Sequence, residues 1–381
     1  MKKFITAILS LALAATMSFP AFAENTAAND GKAGTDITVN GTYKAGADAG
    51  EVISVDIAWE AMDFTYTAPS KGTWNPGTHE YENATAGSWA PSGDADPKIT
   101  VTNHSNTEIT AGFAFNGAVE GLNGSFTKTA LVLTSAEGTA VANAPKGETA
   151  FSVSGSSIDA DKNLGTITVT VGKFDTTPQT ISAADELLAT ADKVGVFQLA
   201  NDIDLGGANL EIASDRYILD LNGHTLTSSS TEGVVETLEG AVLTVKNGSL
   251  TNTANSKALS NTGGTVTVDG CTLSNNGAWY AIESTGGKLS LKDSVLHGLF
   301  AERHTVMVGN LSASAGKYGE LTLSGHVEMD GSILALCQVM DPVAPTVKAL
   351  AGTYNFDVSS YVDTTLYDVT NDGATWVVTA K

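Results

Sequence analysis

One eight-residue phrase recurs through the second half of the chain. It reads Leu219-Asp-Leu-Asn-Gly-His-Thr-Leu226, then Leu243-Thr-Val-Lys-Asn-Gly-Ser-Leu250, Val266-Thr-Val-Asp-Gly-Cys-Thr-Leu273 and Leu289-Ser-Leu-Lys-Asp-Ser-Val-Leu296. Looser copies are Leu321-Thr-Leu-Ser-Gly-His-Val-Glu328 and Val347-Lys-Ala-Leu-Ala-Gly-Thr-Tyr354, and the starts are 24, 23, 23, 32 and 26 residues apart. Positions one and three are apolar and position two is polar, as in a strand with one dry face. Position five is Gly223, Asn247, Gly270, Asp293 or Gly325, residue types that tolerate a left-handed backbone; Ala351 departs. Position eight is leucine in four copies, turned inward again after the bend. Strand, sharp turn and strand at this period predict the rungs of a right-handed parallel β-helix. A leucine-rich repeat has a similar period, but its asparagine and helical half are missing.

Ahead of the repeat, Ile181–Ala191 reads as a short amphipathic helix with Ser182 as cap and Asp185 and Glu186 in its first turn. Such a helix would cover the open end of the coil, giving a domain over 181–381 behind a linker at 175–180. Residues 35–174 follow a different rule, strict alternation. Ile53, Val55, Ile57 and Trp59, then Ile109, Ala111, Phe113 and Phe115, and later Ile167, Val169 and Val171 each line one face of a strand. Asn116-Gly117, Asn123-Gly124 and Gly155 punctuate them. This predicts a β-sandwich of immunoglobulin-like size, and an all-β chain overall.

Within the first domain, residues 68–97 read as one long loop carrying Trp74, His79, Tyr81 and Trp89. Two readings of those rings stand: platforms for a sugar or a protein partner, or a satellite core that pins the loop. Asp159, Asp161 and Asn163 have the one-three-five oxygen spacing of a calcium loop, but the glycine comes one place late and Thr170 stands where glutamate is needed. That pattern reads better as a solvated turn. No metal or other cofactor is expected.

The chain opens with Met1-Lys2-Lys3, an apolar run to Phe19, and Ala21-Phe22-Ala23, the order of a secretory signal peptide cleaved before Glu24. Residues 24–34 are small and polar, a flexible lead-in. Loss of Lys2 and Lys3 would take the formal net charge from −22 to −24. That balance gives no footprint for nucleic-acid phosphates, and no later stretch reaches transmembrane length. Export permits a disulfide. Cys271 and Cys337, however, fall on different sides of the coil at least two rungs apart, roughly 10 Å, and a bridge needs Cα atoms within about 7 Å. Both thiols are expected to be free and buried.

Residues 181–354 resemble the pectate-lyase-like β-helix superfamily as it occurs in secreted bacterial surface proteins. The tail, Gly352-Thr-Tyr-Asn-Phe-Asp-Val-Ser-Ser-Tyr361 with Asp372-Gly-Ala-Thr-Trp-Val-Val378, is similar to one common in such proteins of Gram-positive bacteria. Val55-Asp-Ile-Ala-Trp59, Gly72-Thr-Trp-Asn-Pro76 and Ile99-Thr-Val-Thr-Asn103 also resemble a module of those surfaces. The resemblance implies architecture and no particular reaction. The Asn-Thr-Asp, Asp-Asp, Gly-His-Gly and Arg-Ile-Lys clusters of polygalacturonase-like members are missing, and Gly223-His224 and Gly325-His326 lack the second glycine. The chain has two arginines, Arg216 and Arg303. Glu302, Arg303 and His304 form its one cluster of acid, cation and imidazole, the place for a polysaccharide lyase or glycosidase activity if there is one. The leading expectation is a secreted, non-enzymatic surface or matrix protein that binds an extracellular glycan or surface protein.

Overall fold

A computed structural model describes residues 50–93, 96–276, 280–298, 304–310, 319–337 and 344–381, with Asn310 and Cys337 described by their backbone alone. The signal-peptide and lead-in readings, and Glu302 and Arg303, lie outside the described residues.

The first region forms two antiparallel sheets. One has the order Val55–Trp59, Lys98–Asn103, Lys146–Gly155, Leu122–Phe126; the other has Gly165–Lys173, Ile109–Gly117, Ala130–Leu133. Alternation decides what faces in. In Lys98–Asn103 every second side chain is buried, and Ile99 and Val101 meet Ile109, Ala111, Leu131 and Leu133 from the other sheet. Asn103 is also fully buried, and its amide is satisfied. Nδ2 donates to Thr107 O (3.0 Å) and Thr134 O (2.7 Å), while Oδ1 accepts from Ser105 N (2.8 Å). One side chain thus joins two turns at the cost of no unpaired group.

The expected loop at 68–97 is instead a β-hairpin arm. Phe64–Thr67 pairs with Ser88–Pro91, a bridge joins Ser70 to Thr85, and Thr73–Asn75 pairs with Glu80–Glu82. A segment of this length has many backbone donors and acceptors, and pairing with itself satisfies them without a core. Gly72 (φ +81°) is needed because a Cβ there would lie 2.0 Å from Glu82 O.

The second region is a β-solenoid of the right-handed type. Its long sheet stacks Pro178–Ile181, Gly195–Leu199, Tyr217–Asp220, Val242–Asn252, Thr265–Asn275, Lys288–His297, Glu320–Met329 and Thr346–Tyr354 in parallel. The antiparallel pair Trp376–Ala380 and Tyr367–Asn371 ends it. A second, six-stranded sheet runs Leu210–Ile212, Val235–Thr237, Leu259–Asn261, Ile282–Ser284, His304–Asn310, Ser332–Cys337, one strand from each turn.

The repeated phrase is the register of the long sheet. Leu243 pairs with Val266 and Leu250 with Leu273, and Leu226, Leu250, Leu273 and Leu296 are fully buried. All five turn residues have left-handed backbones: Gly223 (φ 83°), Asn247 (60°), Gly270 (65°), Asp293 (48°) and Gly325 (67°). The loose copies need correction. A bulge after Lys292 places Met329, not Glu328, opposite Leu296, and a second bulge places Gly352, not Ala351, opposite Gly325. Each inserted residue returns an apolar side chain to the bore, which outranks the eight-residue spacing.

Two boundaries move as well. The solenoid sheet begins at Pro178, inside the expected linker, because Pro178–Ile181 pairs with Gly195–Leu199. The helix spans only Ala184–Leu188 and its N-cap is Ala183. Ser182 is one residue further out, where its N and Oγ both donate to Glu186 Oε2 (2.9 and 3.0 Å). Leu187 is fully buried in the solenoid core.

Candidate functional site

The four expected ligand-binding aromatics divide into two groups. Trp74 and Tyr81 are cross-strand partners near the tip of the arm and lie on one face of its ribbon. Their rings meet edge to face with centroids 5.2 Å apart, and the His79 imidazole stacks on Trp74 at 6.0 Å and 7°. His79 reaches that position with a left-handed backbone (φ 57°) at the turn that closes the arm. Trp74 remains 48% exposed and Tyr81 55%. Lys71 Nζ lies 6.0 Å from the Tyr81 ring centre. Glu80 and Glu82 alternate with Tyr81 along the strand, so their side chains leave by the opposite face. Glu82 Oε1 there accepts from Asn75 Nδ2. The tip therefore has one aromatic face, bordered by Lys71, and one acidic face.

Trp89 has a different place. It is half-buried at the base of the arm, packs on the cluster of Leu122, Phe151 and Val153, and donates Nε1–H to Ser156 O at 3.2 Å. Tyr66 lies against it at 5.2 Å. Trp89 holds the arm to the sheets, and only Trp74, His79 and Tyr81 face outward together.

Two side chains of the calcium-like segment bond locally. Asp159 pairs with Lys162 at 3.1 Å, which holds its carboxyl below the usual aspartate range, and Asn163 Oδ1 accepts from Gly165 N at 2.8 Å. Among the described residues no group of three or more His, Cys, Asp or Glu side chains is placed to hold a metal ion. Asp161 and Asn163 are among the residues lining a cavity of about 690 Å³ between the two sheets.

On the solenoid, His304 opens a strand of the six-stranded sheet and its Nδ1 bonds Ser332 Oγ at 2.8 Å. Two other histidines stand on the outer face of the long sheet. His326 bonds Thr353 Oγ1 (2.7 Å) and Glu328 Oε1 (2.9 Å), and His297 bonds Asp330 Oδ2 (2.7 Å). Cys271 is free and buried in the solenoid core. Ion pairs also join neighbouring rungs of the long sheet: Lys292 reaches Asp269 at 3.1 Å and Lys246 reaches Asp220 at 3.3 Å.

Sequence reasoning missed the asparagines at the corners of the coil. Ser228, Asn252 and Asn275 stack in register, and Asn252 Nδ2 donates to Ser230 O and Lys257 O, both at 2.9 Å. In the other sheet the fully buried Asn261 bonds Ser284 Oγ at 3.1 Å. A signal existed: Asn252 and Asn275 each lie two residues after the eighth-position leucine.

No protein-family model matches this chain, and no curated protein or solved structure matches it either. Among the described residues no helix is long and apolar enough to cross a membrane.

Proposed function

We propose that the protein is a secreted, non-enzymatic surface or matrix protein that binds an extracellular glycan or surface protein through the tip of its hairpin arm. Residues 35–174 are read as one β-sandwich of immunoglobulin-like size that carries the arm. The right-handed parallel β-helix behind it, closed at its first turn by the Ala184–Leu188 helix, is read as a stiff spacer. The leader at residues 1–23 and the resemblance to secreted bacterial surface proteins support export.

One observation carries the reading. Trp74, with His79 and Tyr81 packed on it, forms an aromatic face on the arm whose two large rings are each about half exposed to solvent. Large rings in a packed group contribute binding area with little rotamer entropy to lose, which suits a sugar ring or an apolar side chain. The test is a glycan array and a surface-protein panel probed with the chain from Glu24 onward. Any ligand found should bind at least about tenfold more weakly to Trp74→Ala and to Tyr81→Ala, the loss expected for truncating an interface aromatic. Undiminished binding by both variants would refute the arm as the site.

A further inference from the structure

The two sheets of the first region are open along one side. Val55–Trp59 is an edge of one sheet and Gly165–Lys173 an edge of the other, each paired on one flank only among the described strands. Between them lies the cavity of about 690 Å³, lined by Ile57, Met62, Phe115, Phe151, Ile167 and Val169 among others. Of the large apolar side chains left in solvent, Trp59 (49%) lines this cavity from the first edge, and Val52 (46%) and Ile53 (40%) stand on the chain just before that edge. Two unpaired edges bordering an apolar trough are the negative of a strand. A lipid would cover the apolar lining but leave the edge amides and carbonyls unpaired, whereas a polypeptide strand satisfies both.

We propose that this cleft is the docking site for a segment of the same chain, residues 36–43. Forty-nine residues precede Gly50, and the chain enters the described region beside the open edge. Within them, Asp36-Ile-Thr-Val-Asn-Gly-Thr-Tyr43 alternates Ile37, Val39 and Tyr43 with Thr38, Asn40 and Thr42, the pattern that buries one face. The following stretch, Lys44-Ala-Gly-Ala-Asp-Ala-Gly50, has the small residues of a connection. Tethering also favours this source, because a linked segment competes at an effective concentration near millimolar. The inference rests on the sandwich reading of residues 35–174 and is independent of what the arm binds.

Amide hydrogen exchange on the chain from Glu24 onward tests it. If the segment docks, amides of Val55–Trp59 or Gly165–Lys173 that point away from their present partner exchange at least about tenfold more slowly than in the chain begun at Gly50. Protection equal in the two chains overturns the proposal. Protection that disappears on dilution also overturns it, since the strand would then come from a second copy. In the full chain, Ile37→Asp with Val39→Asp should remove the protection and Thr38→Asp should keep it; equal behaviour of the two variants counts against docking by the apolar face. Exchange at Val101 and Ala111, in the central strands of the two sheets, reports folding of the first region in each sample, and binding by the arm is scored separately, so its failure stays distinct.

Discussion

Burial pushes the Cys271 thiol up to about 11, with the nearby Asp269 and Asp220 adding to the rise. At pH 8 only about one molecule in a thousand would carry the thiolate. In a Cys337→Ser background, Cys271 should react with a thiol reagent at least about 100-fold more slowly in the folded chain than in denaturant, and equal rates would contradict its burial. Asp220 shows the opposite balance. Its desolvation favours the neutral form, but hydrogen bonds from Asn247 and Asn222 and the charge of Lys246 outweigh it and hold the carboxyl below the usual range. Turn donors likewise lower four more aspartates: the Ser359 and Thr365 hydroxyls, with backbone N–H groups adding, lower Asp357 and Asp363, and backbone N–H groups lead at Asp175 and Asp372. A depressed carboxyl stabilises the fold above its unfolded pKa, near 3.9, and that contribution is lost as pH falls through the folded value. Thermal melting should therefore be level from pH 7 to 5 and fall below about pH 4. Asp220→Ala, which strips a charged acceptor from Asn247, should cost about 1–3 kcal/mol at pH 7 in denaturant titrations.

At the scale of the element, stacked rungs place like residues beside one another, which helps apolar ladders and penalises charged ones. Glu211 pairs in register with Glu236 in the six-stranded sheet. Desolvation first, then the charges of Glu211 and Glu232, raises the Glu236 pKa. A raised carboxyl pKa means that the charged form is disfavoured in the folded state, so this rung gains stability as pH falls through the folded value towards the unfolded one. Glu236→Gln should stabilise the chain at pH 7 by roughly 0.2–1 kcal/mol, seen as a higher melting temperature. The apolar ladder gives the converse. Leu250→Ala or Leu273→Ala leaves a hole between two rungs and should cost about 2–5 kcal/mol.

The whole molecule depends on a joint between its two regions. Lys128 pairs with Asp215, Thr129 Oγ1 donates to Asp192 O at 3.2 Å, and Arg216 Nη1 lies 3.4 Å from Glu108 Oε1. The Arg216 guanidinium also sits 5.4 Å from the centre of the Phe174 ring. This is where one of the two arginines is spent. A spacer transmits position only if the joint is stiff, and a half-buried ion pair beside an aromatic face is stiffer than a bare linker. Arg216→Ala should cost roughly 1–3 kcal/mol, and Asp215→Ala with Arg216→Ala should split a single calorimetric transition into two. A single unshifted transition would show that these contacts do not couple the two regions.

The repeat determined the second region because position five can be filled only by residues that accept a left-handed turn, and position eight must return to the bore. Alternation determined the two sheets of the first region for a similar local reason. Neither rule reaches further than a few residues. The two bulges in the last rungs, the start of the solenoid at Pro178, and the asparagine corners were set by which side chain meets the neighbouring rung, a contact about two dozen residues distant in the chain. The aromatic segment is the clearest case. Its composition announced Trp74, His79, Tyr81 and Trp89 alike, but only the pairing of the arm with itself turned three of them outward and packed the fourth, half-buried, against the cluster of Leu122, Phe151 and Val153. Local backbone preference is written residue by residue, whereas exposure is a property of what else arrives at the same place, and tertiary packing alone decides that.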